Sequence, residues 1–351
     1  MKYHYLLGIF AVLTLAELPV YAQLPEPLVL DTLPPGPTLE DRLKAKSKDL
    51  ETVRKYVDEQ LFRHAIHNTE DPRTYPVPAG SFSPAPFGTR SLYGYDQQLL
   101  VSRNTGDRKK EAEALNGFGD YYALVGDLEK SVQYYKEALQ IKESLKNRPD
   151  VARTSFRLAG ILKFKQDLQE ALTYYQYAGD MAAGGRQPAL EALSYVEIGK
   201  IKLTQHRYEE AERFLMKKAL PLYTRYGNKP GRIICFENLA RLYEQQKRYS
   251  EAKWYYIQAN LLGRKTNNEG AVISSLISLG HVKNELGHLD LALQDLKEAE
   301  KLASGSHDVP RLIEIKSDLG DLYHRMGDLS SADQLIGEYH ALRDTLMNAA
   351  R

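Results

Sequence analysis

The chain has 351 residues, with 47 Lys+Arg against 46 Asp+Glu, 43% hydrophobic and 10% aromatic side chains. That composition supports a sizeable globular core, and near-neutrality argues against a nucleic-acid binder working through a basic excess. One cysteine, Cys235, excludes an intramolecular disulfide and a multi-thiolate metal site, while a mean hydropathy of −0.47 and no apolar run of about 18 residues exclude a polytopic membrane protein.

In chain order, residues 1–22 read MKYHYLLGIFAVLTLAELPVYA. Lys2 gives a basic start, Leu6 to Ala16 are apolar except for Gly8 and Thr14, and Val20-Tyr21-Ala22 precede Gln23. This is the pattern of a secretory signal peptide cleaved after Ala22; the run is short for a membrane anchor, and Glu17 and Pro19 follow it. No cysteine sits at the cleavage point for lipid attachment, and the chain has no N-x-[ST] acceptor. Export without disulfides or sequons fits a bacterial periplasm or surface.

Residues 23–38 form a proline-rich spacer. Thr38 then offers an N-cap with Asp41 three residues on, opening a helix over about 39–67. Residues 68–90 hold five prolines and no helical period, so 39–90 read as one helix followed by a long loop.

From residue 91 the chain repeats. Gly119, Ala159, Gly199, Ala240, Gly280 and Gly320 are spaced 40, 40, 41, 40 and 40, each preceded by a large apolar residue. Twelve residues after each comes a small residue (Ser131, Ala171, Ala211, Ala252, Ala292, Ala332), and sixteen after comes Tyr135, Tyr175, Leu215, Tyr256, Leu296 or Ile336. Nineteen after stands Ala138, Ala178, Lys218, Ala259, Ala299 or Tyr339. The small anchor belongs to a first helix, and the small–large–small set at i, i+4, i+7 marks one face of a second helix that approaches it closely. Gly126, Gly287 and Gly327 are the C-cap candidates between them.

Leu319, Gly320 and Tyr323, followed by A-x-x-x-I/Y-x-x-A, resemble the tetratricopeptide repeat in a 40-residue variant. The resemblance covers about 91–345 in six full repeats, about 112–345, with 346–351 as a tail. It implies an all-α fold, a right-handed superhelix of six repeats plus N-terminal helices. Ser131, Lys218 and Tyr339 depart at small positions, and Lys202 and Lys283 stand where Tyr or Leu is usual, so repeat three is expected to pack loosely or bend. Residues 91–112 align with the second half of a repeat, whose first half the 39–67 helix is expected to supply. Leu335, Ile336, Tyr339, Leu342 and Leu346 make an apolar stripe on the last helix with no following repeat. This predicts self-association through an uncapped C-terminal helix, or fraying from about Asp333, unless the stripe is buried on its own first helix.

No phosphate loop, dinucleotide fingerprint, nucleophile elbow or H-E-x-x-H occurs. His64 and His67 on one helix face, and His281 with His324, read as surface histidines rather than metal ligands, and Cys235 reads as buried packing. No cofactor or metal is expected, and no catalytic residue. The repeats leave no room for a catalytic domain, so the chain reads as a non-enzyme.

In the tetratricopeptide family the first helices line a groove that takes peptides. Counted from the anchors, the resemblance implies Asn116, Asp120, Arg153, Phe156, Lys163, Phe164, Lys200, Glu237, Arg241, Glu244, His281, Asn284, Asp321 and Arg325 as groove residues. The family's carboxylate clamp needs Lys and Asn one turn apart, and no repeat carries that pair. The mixed apolar and charged lining points to a protein or peptide partner, not nucleic acid. The segment Tyr339–Asn348 is similar to the end of the repeats in periplasmic sensor domains of Bacteroidota-type histidine kinases, which implies an exported sensor ectodomain or scaffold. An envelope assembly factor bridging two partners is the alternative.

Overall fold

The computed structural model describes residues 92–349 and, ahead of them, residues 42, 43, 46, 49–57, 59 and 60. The expected signal peptide, spacer and proline-rich loop, and the His64–His67 pair, lie outside the described residues. Every described element is a helix. In chain order these are α1 (Leu92–Thr105), α2 (Arg108–Leu124), α3 (Leu128–Ser144), α4 (Arg148–Phe164), α5 (Leu168–Gly184) and α6 (Pro188–Thr204). α7 runs through Tyr208–Glu212, a π-helical stretch Arg213–Ala219, and Leu220–Arg225. Then follow α8 (Lys229–Gln245), α9 (Tyr249–Lys265), α10 (Glu269–Glu285), α11 (Leu289–Gly305), α12 (Val309–Met326) and α13 (Leu329–Ala349). The even-numbered helices are the first helices of the six repeats.

The sequence punctuates these helices locally. Asp107, Asp127, Asn147, Asn228, Asn268 and Asp308 each accept a hydrogen bond from the backbone N–H three residues on, satisfying one of the free donors at a helix start. Pro149, Pro188, Pro230 and Pro310 sit in first turns, where a missing N–H costs nothing. Between the two helices of a repeat the chain turns through one left-handed residue. Gly126, Gly287 and Gly327 do so at φ 85°, 76° and 84°, as expected, and Gln166, His206 and Lys247 do the same without glycine.

Packing follows the anchor register. A Cβ on Gly280 would stand 2.6 Å from Leu296 Cγ, and one on Gly320 would stand 2.8 Å from Ile336 Cδ1. The anchor is small because the residue sixteen positions later lies directly against it. Where the anchor is alanine, Tyr175 and Tyr256 fill that position and are 2% exposed. Ala171, Ala211, Ala252, Ala292 and Ala332 are fully buried at the crossing of the two helices.

Repeat three packs tightly, contrary to expectation. Its extra residue is taken up by the π-helical stretch, which moves the small position from Lys218 to Ala219, fully buried. Lys218 turns outward, its Nζ 4.7 Å from the ring centroids of Tyr195 and Phe214. The two unusual lysines are paired with acids of the second helix: Lys202 with Glu210 at 3.3 Å and Lys283 with Asp295 at 2.5 Å.

The C-terminal end is not bare. Leu335, Ile336 and Tyr339 are 6%, 0% and 0% exposed, Leu342 and Leu346 are half-buried, and α13 continues to Ala349. The cover is the chain's own N-terminal segment. Val53 closes a buried cluster with Ile313 and Tyr339, flanked by Leu50, Val57, Val309, Leu342 and Leu346. Arg42 pairs with Asp333, Asp49 with Arg343, Lys46 with Asp321 at 2.6 Å, and Arg54 with Glu314 at 3.3 Å. The described residues between 42 and 60 therefore do not complete a half-repeat before α1. They run along α13 in its own direction and against α12. A regular first helix lies the other way: Asn260, in the second half of α9, bonds Ser275 in the first half of α10 at 2.9 Å.

The π-helical register gives a paired test. Ala219→Lys places a charge where no surface is exposed and should cost more than about 2 kcal/mol, whereas Lys218→Ala should stay within about 1 kcal/mol of the parent in urea unfolding. Equal losses would show that Lys218, not Ala219, occupies the small position.

Candidate functional site

The candidate surface is the face formed by the first helices, α2, α4, α6, α8, α10 and α12. Anchors every 40 residues bring the same helix face of each repeat beside that of the next, so side chains one repeat apart meet. Asp120 accepts from Arg157 at 3.1 Å, Lys163 pairs with Glu197 at 2.5 Å, His281 Nε2 lies 3.3 Å from Glu244, and Arg325 lies 3.5 Å from Glu285. These pairs form a ladder that joins α2 to α4, α4 to α6, α8 to α10 and α10 to α12; among the described residues no ion pair joins α6 to α8.

Most of the sequence-predicted groove residues belong to this ladder or its flanks. Asn116 donates to Thr154 at 3.2 Å, which ties α2 to α4. Arg153 pairs with Asp150 on its own helix, and Phe156 packs edge-on to Tyr175 with centroids 5.2 Å apart. Phe164 is exposed at the end of α4. Lys200 joins Lys163 on Glu197, at 2.8 Å. Asn284 has a buried Oδ1 with no hydrogen-bond partner. Asp321 is engaged by Lys46 of the N-terminal segment. Arg157, Glu197 and Glu285 were missed from sequence. The signal that could have found them is charge complementarity one repeat apart, at offsets of 37, 34 and 40 residues.

Burial tunes the charges. Burial alone would raise the Glu197 carboxyl, but the Lys163 and Lys200 ammoniums outweigh it and hold its pKa at about 2. Asp120 is raised by burial in spite of Arg157 and a hydrogen bond from Tyr135. Beside it, buried Lys142 donates to Thr154 Oγ1 at 2.8 Å, and loss of hydration lowers its pKa to about 8.

Midway along the face stand Glu237 and Arg241, one turn apart on α8. Burial raises the Glu237 carboxyl, with Arg241 the main opposing influence. Burial would lower the Arg241 pKa, but Tyr256 and Glu237 raise it. Among the described residues neither closes an ion pair, unlike their counterparts up and down the ladder.

Two clefts lie away from this face. One of about 470 Å³ is bounded by Leu172, Tyr177, Lys202, Glu210 and Phe214 beside the π-helical stretch, and one of about 380 Å³ lies among loop residues around Asn268. Among the described residues no cluster of three His, Cys, Asp or Glu could hold a metal ion, and no helix is long and apolar enough to cross a membrane. Cys235 is buried, and burial pushes its thiol up to about 12.

Lys142 yields a pH signature. Its pKa is about 8 folded against about 10.5 unfolded. Between those values the unfolded chain binds more protons, so stability should rise with pH from 8 to 10.5. Lys142→Met should be more stable at pH 7 and lose that rise; parallel stability–pH curves for the two proteins would contradict it.

Comparison with known proteins agrees with this architecture. Residues 110–183 and 190–259 match the family model of the tetratricopeptide repeat. A kinesin light chain-related protein of Arabidopsis thaliana is 25% identical over 258 residues, 60% of this chain; the chain spans 40% of that relative's length. Among solved structures, BtubC (BKLC) from P. vanneervenii superimposes with a TM-score of 0.56 at 17% identity, covering 62% of this chain and 91% of the other. The repeat-containing signal-transduction ATPase (STAND) of Pyrococcus horikoshii superimposes at 0.60 with 19% identity, covering 74% of this chain and 43% of the other. Residues 110–183 and 190–259 thus match the tetratricopeptide repeat, and the described helices have the fold of a tetratricopeptide-repeat solenoid.

Proposed function

We propose that this protein is a non-enzymatic peptide- or protein-binding module of the cell envelope, a sensor ectodomain or scaffold that recognises its ligand on the first-helix face. The observation that carries the reading is the Glu237–Arg241 pair. Elsewhere along the face Asp120, Glu197, Glu244 and Glu285 each lie against a basic side chain of a neighbouring repeat. Here a half-buried carboxylate and an exposed guanidinium stand one turn apart without closing an ion pair, and such an open pair is complementary to a ligand that presents both charges. The sensor reading draws on the likeness of Tyr339–Asn348 to histidine-kinase ectodomains and on the Pyrococcus horikoshii protein, whose repeats are described as its sensor. The export reading draws on residues 1–22.

The alternative, an envelope factor bridging two partners, has one observation in its favour. Trp254, Ile257 and Leu261, at helical spacing on α9, are 53%, 37% and 56% exposed and lie on a second helix, so they offer a second surface.

Two experiments test the reading. Peptides selected on the purified protein should lose tenfold or more in affinity on Arg241→Glu, with the melting temperature unchanged; selected peptides that bind the variant equally well would rule this face out. Protein recovered from the envelope should begin at Gln23, and recovery of intact Met1 protein from the cytosol would defeat export.

A further inference from the structure

Three basic residues of the N-terminal segment, Arg42, Lys46 and Arg54, meet three acids at the end of the solenoid, Asp333, Asp321 and Glu314. Lys46 is 4% exposed, and its Nζ also donates to the Ser317 carbonyl at 3.1 Å. Ser317 and Asp321 hold, in the last repeat, the positions that Glu237 and Arg241 hold in the fourth: three before and one after the anchor. The segment thus sits on the same face that in earlier repeats faces the next first helix. It does so in the reverse direction.

The acids it covers crowd one side of α12. Asp318 lies between Glu314 and Asp321 and is pushed well above the usual carboxylate range by burial and by those two neighbours, with Lys46 and Arg54 opposing. Without the segment this face would be an uncompensated acidic strip beside the apolar Ile313 and Tyr339. Its chemistry therefore selects a helix with cations four to eight residues apart and aliphatic residues on the same side.

Apart from Lys46, much of the contact lies near the surface. Val53 is the one fully buried aliphatic side chain among the segment's described residues, Leu50 and Val57 are half-buried, and the Arg54 and Asp333 side chains are 67% and 53% exposed. Exposed ion pairs hold weakly, and the segment is joined to α1 only through residues 61–91.

We propose that the described residues between 42 and 60 belong to a built-in, displaceable occupant of the last repeat, and that the external partner which replaces it is a basic amphipathic helix. This rests on the reading of the first-helix face as a binding surface, and it places the gate at the α12 end of that face. A partner must outcompete a tethered segment, so the free face is scarce until the segment leaves.

The probe is a fluorescent synthetic peptide of residues 39–60, titrated into the full chain. Wild type should bind it weakly. Lys46→Glu combined with Val53→Asp should bind it at least tenfold more tightly, because the face is vacated while its acids remain. Adding Asp321→Lys to that variant should remove the gain. Equal affinity for wild type and the vacated variant would overturn the proposal. Loss of helical content in the vacated variant well beyond that of the segment itself would also overturn it, because the segment would then be a fixed part of the fold. A wild-type dimer that the two substitutions dissociate would place the segment on a second copy and overturn occupation within one chain. Because the probe is the chain's own segment, it reads the gate whether or not peptides select Arg241; failure of the Arg241 test alone leaves this result standing.

Discussion

In every repeat a large side chain lies against a small anchor sixteen residues earlier, and this contact sets the distance and register of the two helices. At Gly280 the space for even a methyl group is taken by Leu296. Once that crossing is fixed, the first helices fall side by side, and residues one repeat apart come within reach of each other. The charge ladder from Asp120 to Arg325 is a consequence of that register. Repeat three shows its priority: the anchor contact between Gly199 and Leu215 is kept, and the extra residue is absorbed around and beyond it in the π-helical stretch, so that Ala219, Tyr223 and the following repeat recover their places.

The same logic explains the end of the solenoid. At the nineteenth position after the anchor, alanine in four of the six repeats lets the next first helix approach. The last repeat carries Tyr339 instead, fully buried. A tyrosine there holds a neighbouring helix further off and supplies much of the apolar surface itself. The segment that covers it brings one buried valine, the half-buried Leu50 and Val57 and a row of cations, and it lies in the opposite direction to a seventh repeat. The end is built for a different element from the one that recurs inside the array.

What was legible in the sequence was what repeats. Period, anchors and the all-helical class come from features sampled six times, and the glycine turns from a feature sampled three times. The turns at Gln166, His206 and Lys247 carried no glycine to mark them. The shift from Lys218 to Ala219 was visible only as a spacing of 41, whose place within the repeat spacing alone does not give. The cap was out of reach for another reason: Arg42 and Asp333 are separated by 291 residues, and a contact made once, between a non-repeating segment and the array's last turn, leaves no periodic trace. Counting puts the groove candidates on first helices, but it gives a face and not a partner, which is why Arg157, Glu197 and Glu285 were overlooked while their mates, Asp120, Lys163 and Arg325, were named.

The account turns on the N-terminal segment being seated on α12 and α13 in the free protein. Hydrogen exchange resolved to single amides measures this directly. Seating predicts that the amides of residues 49–57 are protected by orders of magnitude over an unstructured peptide, with the strongest protection around buried Val53, and that Lys46→Glu lowers their protection together with that of α13. Exchange of residues 49–57 at the unstructured rate, with α13 protected all the same, would contradict it.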